Sequence, residues 1–293
     1  MSKKELTDAL KKSHGDKKYD FDLRLDKEEG SIDENEYINL SKKYFNSNTE
    51  SVLGLDIYKY SDYDEEKQNF IPFVFNLLLD ETTELLIKQE SKLFGSDFVI
   101  KPTENFISTG DGGYIFFFTP FHALVFNLYF YSLLHLFNTE HLFPKLKKYI
   151  GEFFIRSAMT HDKIFRFEGQ PYGRAIISNA RILSKDKLNR FLIDRNTFEY
   201  FNRVCNGIEN ISLIEESRLN KIIGNNGKTF FLEKNNNPIK NIHVQKLDDT
   251  FAKNSKLTIY NVEIQSRIII EKTDKILAEF FYSIGNLNTN TLT

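Results

Sequence analysis

The chain has 293 residues, enough for one large domain or two smaller ones with real cores. Its formal net charge of −2 gives no electrostatic reason to expect a nucleic-acid partner. The single cysteine, Cys205, excludes an internal disulfide and fits a reducing cytoplasm. No run reaches the ~18 consecutive apolar residues of a spanning helix. The most apolar stretch, Phe121 to Phe137, carries His122, Asn127, Ser132 and His135 and reads as a buried helix. The start Met1-Ser2-Lys3-Lys4-Glu5 has no apolar core that would make a secretory signal.

Residues 1–48 are rich in lysine and acids, and read as a mobile arm that becomes helical near Glu34 to Phe45. Val52 to Ile57 reads as a short buried strand. From Glu65 to Phe94 apolar residues fall at helical spacing, and Gly95-Ser96 stops that helix. Phe98 to Ile107 and Tyr114 to Phe118 read as strands around the glycine turn Gly110 to Gly113. Thr119 as cap and Pro120 at the first helical position open the next helix. Strands are expected at Glu152 to Met159 and Lys163 to Glu168, with His161-Asp162 in the turn between them. A loop at Gly169 to Gly173, a helix from Arg174 to Leu183, a strand at Phe191 to Ile193 and a helix from Thr197 to Val204 follow. Further on come a hairpin-type turn at Gly224 to Gly227, a loop at Asn235 to Pro238 and a strand signal from Thr258 to Ile270. This order gives an α+β fold, a mostly antiparallel sheet with helices on one face.

The chemistry centres on two acids. Asp56 ends the apolar run Leu53-Gly54-Leu55, and Asp111 sits in the turn Gly110-Asp111-Gly112-Gly113. If their strands are neighbours, two carboxylates come within several Å and repel unless a cation sits between them. Mg²⁺ suits such a site, with the Ile57 carbonyl as a further oxygen and other positions left to water and phosphates. The turn Tyr58-Lys59-Tyr60-Ser61, just before a helix, offers backbone N–H groups to a phosphate chain. From spacing alone the two acids read more readily as ordinary surface turn residues than as a metal site. His135 and His141 lack an acid partner and read as core or surface.

A third segment bears on the choice. Tyr172-Gly173-Arg174-Ala175-Ile176-Ile177-Ser178-Asn179-Ala180-Arg181 is a glycine loop entering a helix, with an arginine eight residues after the glycine. Together with Asp56-Ile57 and Thr109-Gly110-Asp111-Gly112, it resembles the class III nucleotidyl cyclases over roughly residues 50–205. The resemblance implies a ferredoxin-like βαββαβ core at residues 49–206, with the arm before it and a C-terminal α/β extension at 207–293. It further implies two Mn²⁺ or Mg²⁺ ions on Asp56, Ile57 and Asp111, with Arg181 on the α-phosphate. Lys59, Tyr60 and Ser61 are the expected phosphate contacts, and the expected assembly is a head-to-tail homodimer with composite sites. The family places an asparagine four residues before the arginine, where this chain has Ile177; Asn179 lies two residues further along. Purine-specific members place Lys or Glu four residues before the second acid, where this chain has Ile107. With Tyr58 two residues after Asp56 in the base-contacting place, the closest resemblance is to the Pycsar pyrimidine cyclases. That resemblance implies a cytoplasmic enzyme making cyclic UMP or cyclic CMP as an anti-phage signal read by a separate effector, with no membrane or nucleic-acid partner. A purine cyclase and a degenerate nucleotide-binding or dimerisation module are the alternatives.

Overall fold

The structure is a computed structural model that describes residues 47–90, 93–94, 105–167, 169–204, 229–232, 239–247, 249–252, 255–272 and 275–286. The chain divides into two compact units, and the larger comprises residues 48–164 and 171–293. The expectations for the N-terminal arm, the stop at Gly95-Ser96, the strand before Phe106, Cys205, and the segments at 224–227 and 235–238 lie outside the described residues.

β1 (Ser47–Ile57) is the strand around which the larger unit is layered. Val52, Leu53, Leu55 and Ile57 are all buried, so both faces of the strand are covered and its sequence reads as a continuous apolar run rather than an alternation. α1 (Glu65–Gln89) opens on Asp64, whose carboxylate accepts from Lys67 N. β2 (Phe106–Ser108) and β3 (Gly112–Phe117) form the expected hairpin. α2 (Pro120–Asn138) begins as its Thr119-Pro120 signature predicts, with the threonine side chain accepting from His122 N. α3 (Pro144–Ile150) is a short connection. β4 (Ile155–Phe167), β5 (Gln170–Gly173), α4 (Arg174–Lys185), β6 (Phe191–Asp194) and α5 (Arg195–Val204) complete the core. Then come β7 (Thr229–Leu232), β8 (Ile239–Lys246), β9 (Thr250–Ala252), β10 (Ser255–Leu257), β11 (Ile259–Lys272) and β12 (Lys275–Ile284).

The sheet order is β12-β11-β6-β4-β1-β3-β2. β1 and β3 are antiparallel, as are β2 and β3, β6 and β11, and β11 and β12, whereas β4 and β6 are parallel. The fold is therefore α+β with a mostly antiparallel sheet. The parallel pair is the one joined through α4, because parallel neighbours need a crossover that a hairpin cannot supply. β11 and β12 continue the same sheet that holds β1 and β4, and the described residues from 229 onward are strands and their connections.

Helices cover both faces, which corrects the expectation of one. Leu53, Leu55 and Ile57 point into the core with Val74 and Leu78 of α1 and Phe126 and Phe130 of α2. On the other face Val52, Phe116 and Ile164 pack with Ala175 of α4, and Ala158 and Leu192 pack with Ile182 and Leu183. The expected turn at His161-Asp162 is also corrected, since β4 runs unbroken through it. A polar pair inside a strand mimics a turn signal, but here His161 Nδ1 bonds Ser51 Oγ at 2.9 Å and its ring meets Tyr200 edge-on. The loop expected at Gly169 to Gly173 is likewise mostly strand, paired with β4. Among the described residues no helix is long and apolar enough to cross a membrane.

Candidate active site

Asp56 is the penultimate residue of β1 and lies opposite Gly112 of β3. A Cβ on Gly112 would fall 2.1 Å from the Leu55 carbonyl oxygen, so only glycine lets the two strands meet here. Gly110 adopts φ 100°, its N–H donates to Ser108 Oγ at 3.2 Å, and Thr109 N donates to Gly112 O at 3.0 Å. The turn is thereby closed with Asp111 at its tip. Ile57 N donates to Asp111 O at 2.8 Å, which pins the second acid to the strand that carries the first. Both acids line one cavity of about 270 Å³ with Tyr114, Arg156, Thr109 and Ser184.

Burial raises the Asp56 carboxyl above its ordinary range, with Arg156 opposing and the nearby Asp111 charge reinforcing the rise. The Tyr114 phenol is raised by burial and then by the same two acids. Among the described residues no cluster of three His, Cys, Asp or Glu forms a ready metal cage. Two buried-edge carboxylates fit a hard cation that takes its remaining oxygens from carbonyls, water and a phosphorylated substrate.

The turn after Asp56 is fixed by other means than phosphate. Tyr58 N donates to Phe154 O at 2.8 Å, and the Lys59 ammonium lies 5.5 Å over the Tyr58 ring. Lys59 adopts φ 55°, which starts the short 3₁₀ turn Tyr60–Asp62. Pro72 inside α1 has no N–H to give the Gln68 carbonyl, and the Tyr60 hydroxyl donates to it instead at 2.5 Å. Ser61, the middle residue of the 3₁₀ turn, is exposed.

Arg181 lies elsewhere. α4 is a wall shared by two cavities: Ala180, Leu183 and Ser184 face the acids, while Arg174, Ile177, Ser178 and Arg181 line a second cavity of about 920 Å³. That cavity is also lined by Arg195, Phe198, Lys246, Lys256 and Tyr260 and by the carboxylates of Asp162, Asp194 and Glu199, and the Phe198 and Tyr260 rings stack at 4.0 Å. Within one chain, the structure brings Asp56, Ile57 and Asp111 together and leaves Arg181 in the other cavity.

Asn179 belongs to neither cavity. It is fully buried, and its Nδ2 donates to the Val52 and Ala158 carbonyls, both at 2.9 Å. It staples β1 to β4 beneath α4. Ile177, at the position where the resemblance expects an asparagine, is 48% exposed. His135 stacks on Tyr282, and His141 bonds Thr139, so both histidines have structural roles.

One residue of the site was not singled out in the sequence. Arg156 of β4 donates through Nε to Asp56 Oδ2 and through Nη1 to the Asp186 carbonyl. Its signal was an isolated cation in an otherwise apolar strand, Ile155-Arg156-Ser157-Ala158-Met159.

No protein-family model matches the chain, and no curated protein matches it in sequence. Among solved structures it is similar to the adenylyl cyclase CyaB from P. aeruginosa, at 12% identity and a TM-score of 0.46, covering 74% of this chain and 95% of that one. It is also similar to the catalytic core of a rhodopsin-guanylyl cyclase with converted specificity in complex with ATPalphaS, at 13% identity and a TM-score of 0.46, covering 74% and 97%. A third is an adenylate/guanylate cyclase/hydrolase from Silicibacter pomeroyi, at 12% identity and a TM-score of 0.41, covering 74% and 97%.

Proposed function

We propose that the protein is a nucleotidyl cyclase of the class III type, converting a pyrimidine nucleoside triphosphate, UTP or CTP, into its 3′,5′-cyclic monophosphate and diphosphate. The observation that carries the reading is the placement of Asp56 at the end of β1 and Asp111 in the turn that enters β3, held together in one cavity by the Ile57–Asp111 hydrogen bond. In the reaction the ribose 3′-oxygen attacks the α-phosphorus in line, the bond to the bridging oxygen breaks, diphosphate leaves, and the hydroxyl proton passes to solvent. Two Mg²⁺ or Mn²⁺ ions, when bound by Asp56, Asp111 and the Ile57 carbonyl, supply Lewis-acid activation of the 3′-hydroxyl and neutralise the departing diphosphate. The chain's own residues orient and screen. Leu55 and Gly113, both buried, line the cavity beside the two acids, and backbone N–H groups near Lys59, Tyr60 and Ser61 approach the phosphates.

Arg181 is assigned the growing charge on the α-phosphate. Because it lines the other cavity, this role needs the Arg181 of a second copy, and the working form is a homodimer with two composite sites. Base choice is assigned to Tyr58 and Ile107. Ile107 is a partly buried residue of β2 packed beside Val52 and Phe116, and its apolar side chain offers no hydrogen bond to a purine edge. The product is assigned as a signal in anti-phage defence, read by a separate cyclic-nucleotide-activated effector.

Incubation with Mn²⁺ and each of the four triphosphates is the test, with cyclic products identified by mass. Cyclic UMP or cyclic CMP supports the reading, product from ATP or GTP alone moves the assignment to a purine cyclase, and no product from any leaves a binding module. Mixing Asp56→Ala with Arg181→Ala chains restores one intact site per heterodimer; no recovery of activity counts against composite sites. Loss of phage protection in cells carrying Asp56→Ala is the expected outcome for a catalytic role in defence.

A further inference from the structure

We propose that Arg156 is a resident counter-ion of Asp56, held in place by the buried Asp186–Arg190 pair, and that it competes with any cation drawn to Asp56. The inference rests on the reading of Asp56 as a cation-holding carboxylate. Arg156 is not a loose surface partner: its side chain is 22% exposed and that of Asp56 16%. Its guanidinium is fastened at both ends, Nε on the Asp56 carboxylate and Nη1 on the carbonyl of Asp186.

The second anchor is itself fixed. Asp186 N donates to Ile182 O at 3.0 Å as α4 ends. Its Oδ1 accepts from Arg190 Nε at 2.8 Å, from Arg190 Nη2, and from Leu188 N at 3.3 Å. Arg190 is completely buried and Asp186 nearly so. A buried ion pair of this kind is seldom more stabilising than apolar residues of the same volume. Here it has a second consequence, since it holds the 186–190 turn in the shape that presents the Asp186 carbonyl to Arg156. Asp186 and Arg190 are therefore positioning residues, acting on Asp56 through Arg156.

A metal ion on Asp56 Oδ2 and the guanidinium bonded to the same oxygen repel each other, so the arginine disfavours the ion there. The stabilisation that a nearby opposite charge gives a carboxylate is on the order of one to three powers of ten in its ionisation equilibrium. For a partly hydrated pair the lower end applies, so removing Arg156 is expected to tighten cation binding roughly tenfold.

The experiment titrates Mn²⁺ into the full chain without nucleotide and follows the free ion by its electron paramagnetic resonance signal. Asp56→Asn defines the site and is expected to abolish binding there. Arg156→Gln is expected to bind roughly tenfold more tightly, and Arg156→Lys, which keeps the charge but reaches only one anchor, falls between the native chain and Arg156→Gln. Arg190→Lys keeps the buried charge and loosens the turn, so it too is expected to tighten Mn²⁺ binding, with a thermal melt confirming that the chain remains folded. Unchanged or weaker binding in folded Arg156→Gln and Arg156→Lys, with Asp56→Asn abolishing it, overturns the counter-ion and leaves the cation site standing. Native-like Mn²⁺ binding in Asp56→Asn overturns both. Tightening in Arg156→Gln with no change in Arg190→Lys overturns the positioning role of the buried pair.

Discussion

A methyl group placed on Gly54 sets β1 against α4. The added Cβ falls 2.0 Å from Asn179 Oδ1 and 2.8 Å from Leu183 Cδ1. Asn179 cannot swing aside without releasing its bonds to the Val52 and Ala158 carbonyls. Either the helix lifts from the strand, an overpacking cost of about 1–3 kcal/mol, or two buried hydrogen bonds are lost at about 1 kcal/mol each. Gly54→Ala is thus expected to destabilise by roughly 1–3 kcal/mol, lowering the melting temperature by roughly 2–12 °C. Circular dichroism melts give the single-variant values. The cycle with Asn179→Ala isolates the contact, since deleting the obstructing amide should make Gly54→Ala nearly neutral in that background. A Gly54→Ala protein that melts with the native one, or a double variant whose losses simply add, refutes the close packing described here. The cycle also tests the view that Asn179 is a staple rather than a catalytic group, because the staple predicts lost stability without a selective loss of turnover per folded molecule.

The remaining predictions concern other buried polar groups. Burial pushes the Asp194 carboxyl up to about 6, against hydrogen bonds from Thr197 and His161 that lower it. A raised carboxyl contributes stability below its unfolded value near 3.8 and loses it as pH rises through 6. Asp194→Asn, which keeps an acceptor for Thr197 N, should therefore gain on the native protein by about 2 kcal/mol between pH 4 and pH 7; a gap in melting temperature that does not change with pH would show that reasoning to be wrong. Arg190→Met leaves Asp186 charged and buried without its partner, for an expected loss of about 3–5 kcal/mol in urea unfolding, and a loss below 1 kcal/mol would mean that the pair is not buried as described. Tyr60→Phe leaves the Gln68 carbonyl that Pro72 cannot bond without its donor, costing about 1 kcal/mol. Restoring a backbone donor with Pro72→Ala in the same chain should recover much of that loss.

Much of the architecture was legible because its signals are local. The Thr119-Pro120 cap, the long amphipathic α1 and the apolar β1 each announce themselves within a few residues. The acid pair was legible for a related reason, as glycines on both sides of Asp111 mark a backbone that must come close to another strand. What the chain order could not reveal were the partners across the sheet. His161-Asp162 looks like a turn until Ser51, far away in sequence, takes the histidine into the strand. Arg156 gains its meaning only from Asp56 and Asp186, neither of which is near it in the chain. Asn179 and Arg181 are two residues apart, yet one faces the core and the other a cavity, a division set by helical geometry and by which side of α4 meets the sheet.

The position of α4 between core and cavities also governs how freely its sequence can change. An ordinary surface helix keeps a stripe of solvent-facing positions where almost any polar residue is tolerated. Ala175, Asn179 and Ile182 are taken by the core, and Ile176 packs against it. Ala180, Leu183 and Ser184 line the cavity that holds the acids, and Arg174, Ile177, Ser178 and Arg181 line the second cavity. The exposed positions Arg174, Ile177 and Ser184 are thus the ones that open onto the two cavities. A saturation scan of this helix should find folding intolerance at Ala175, Asn179 and Ile182, while changes at Arg174, Ile177 and Ser184 leave the fold intact and register only where a cavity is used.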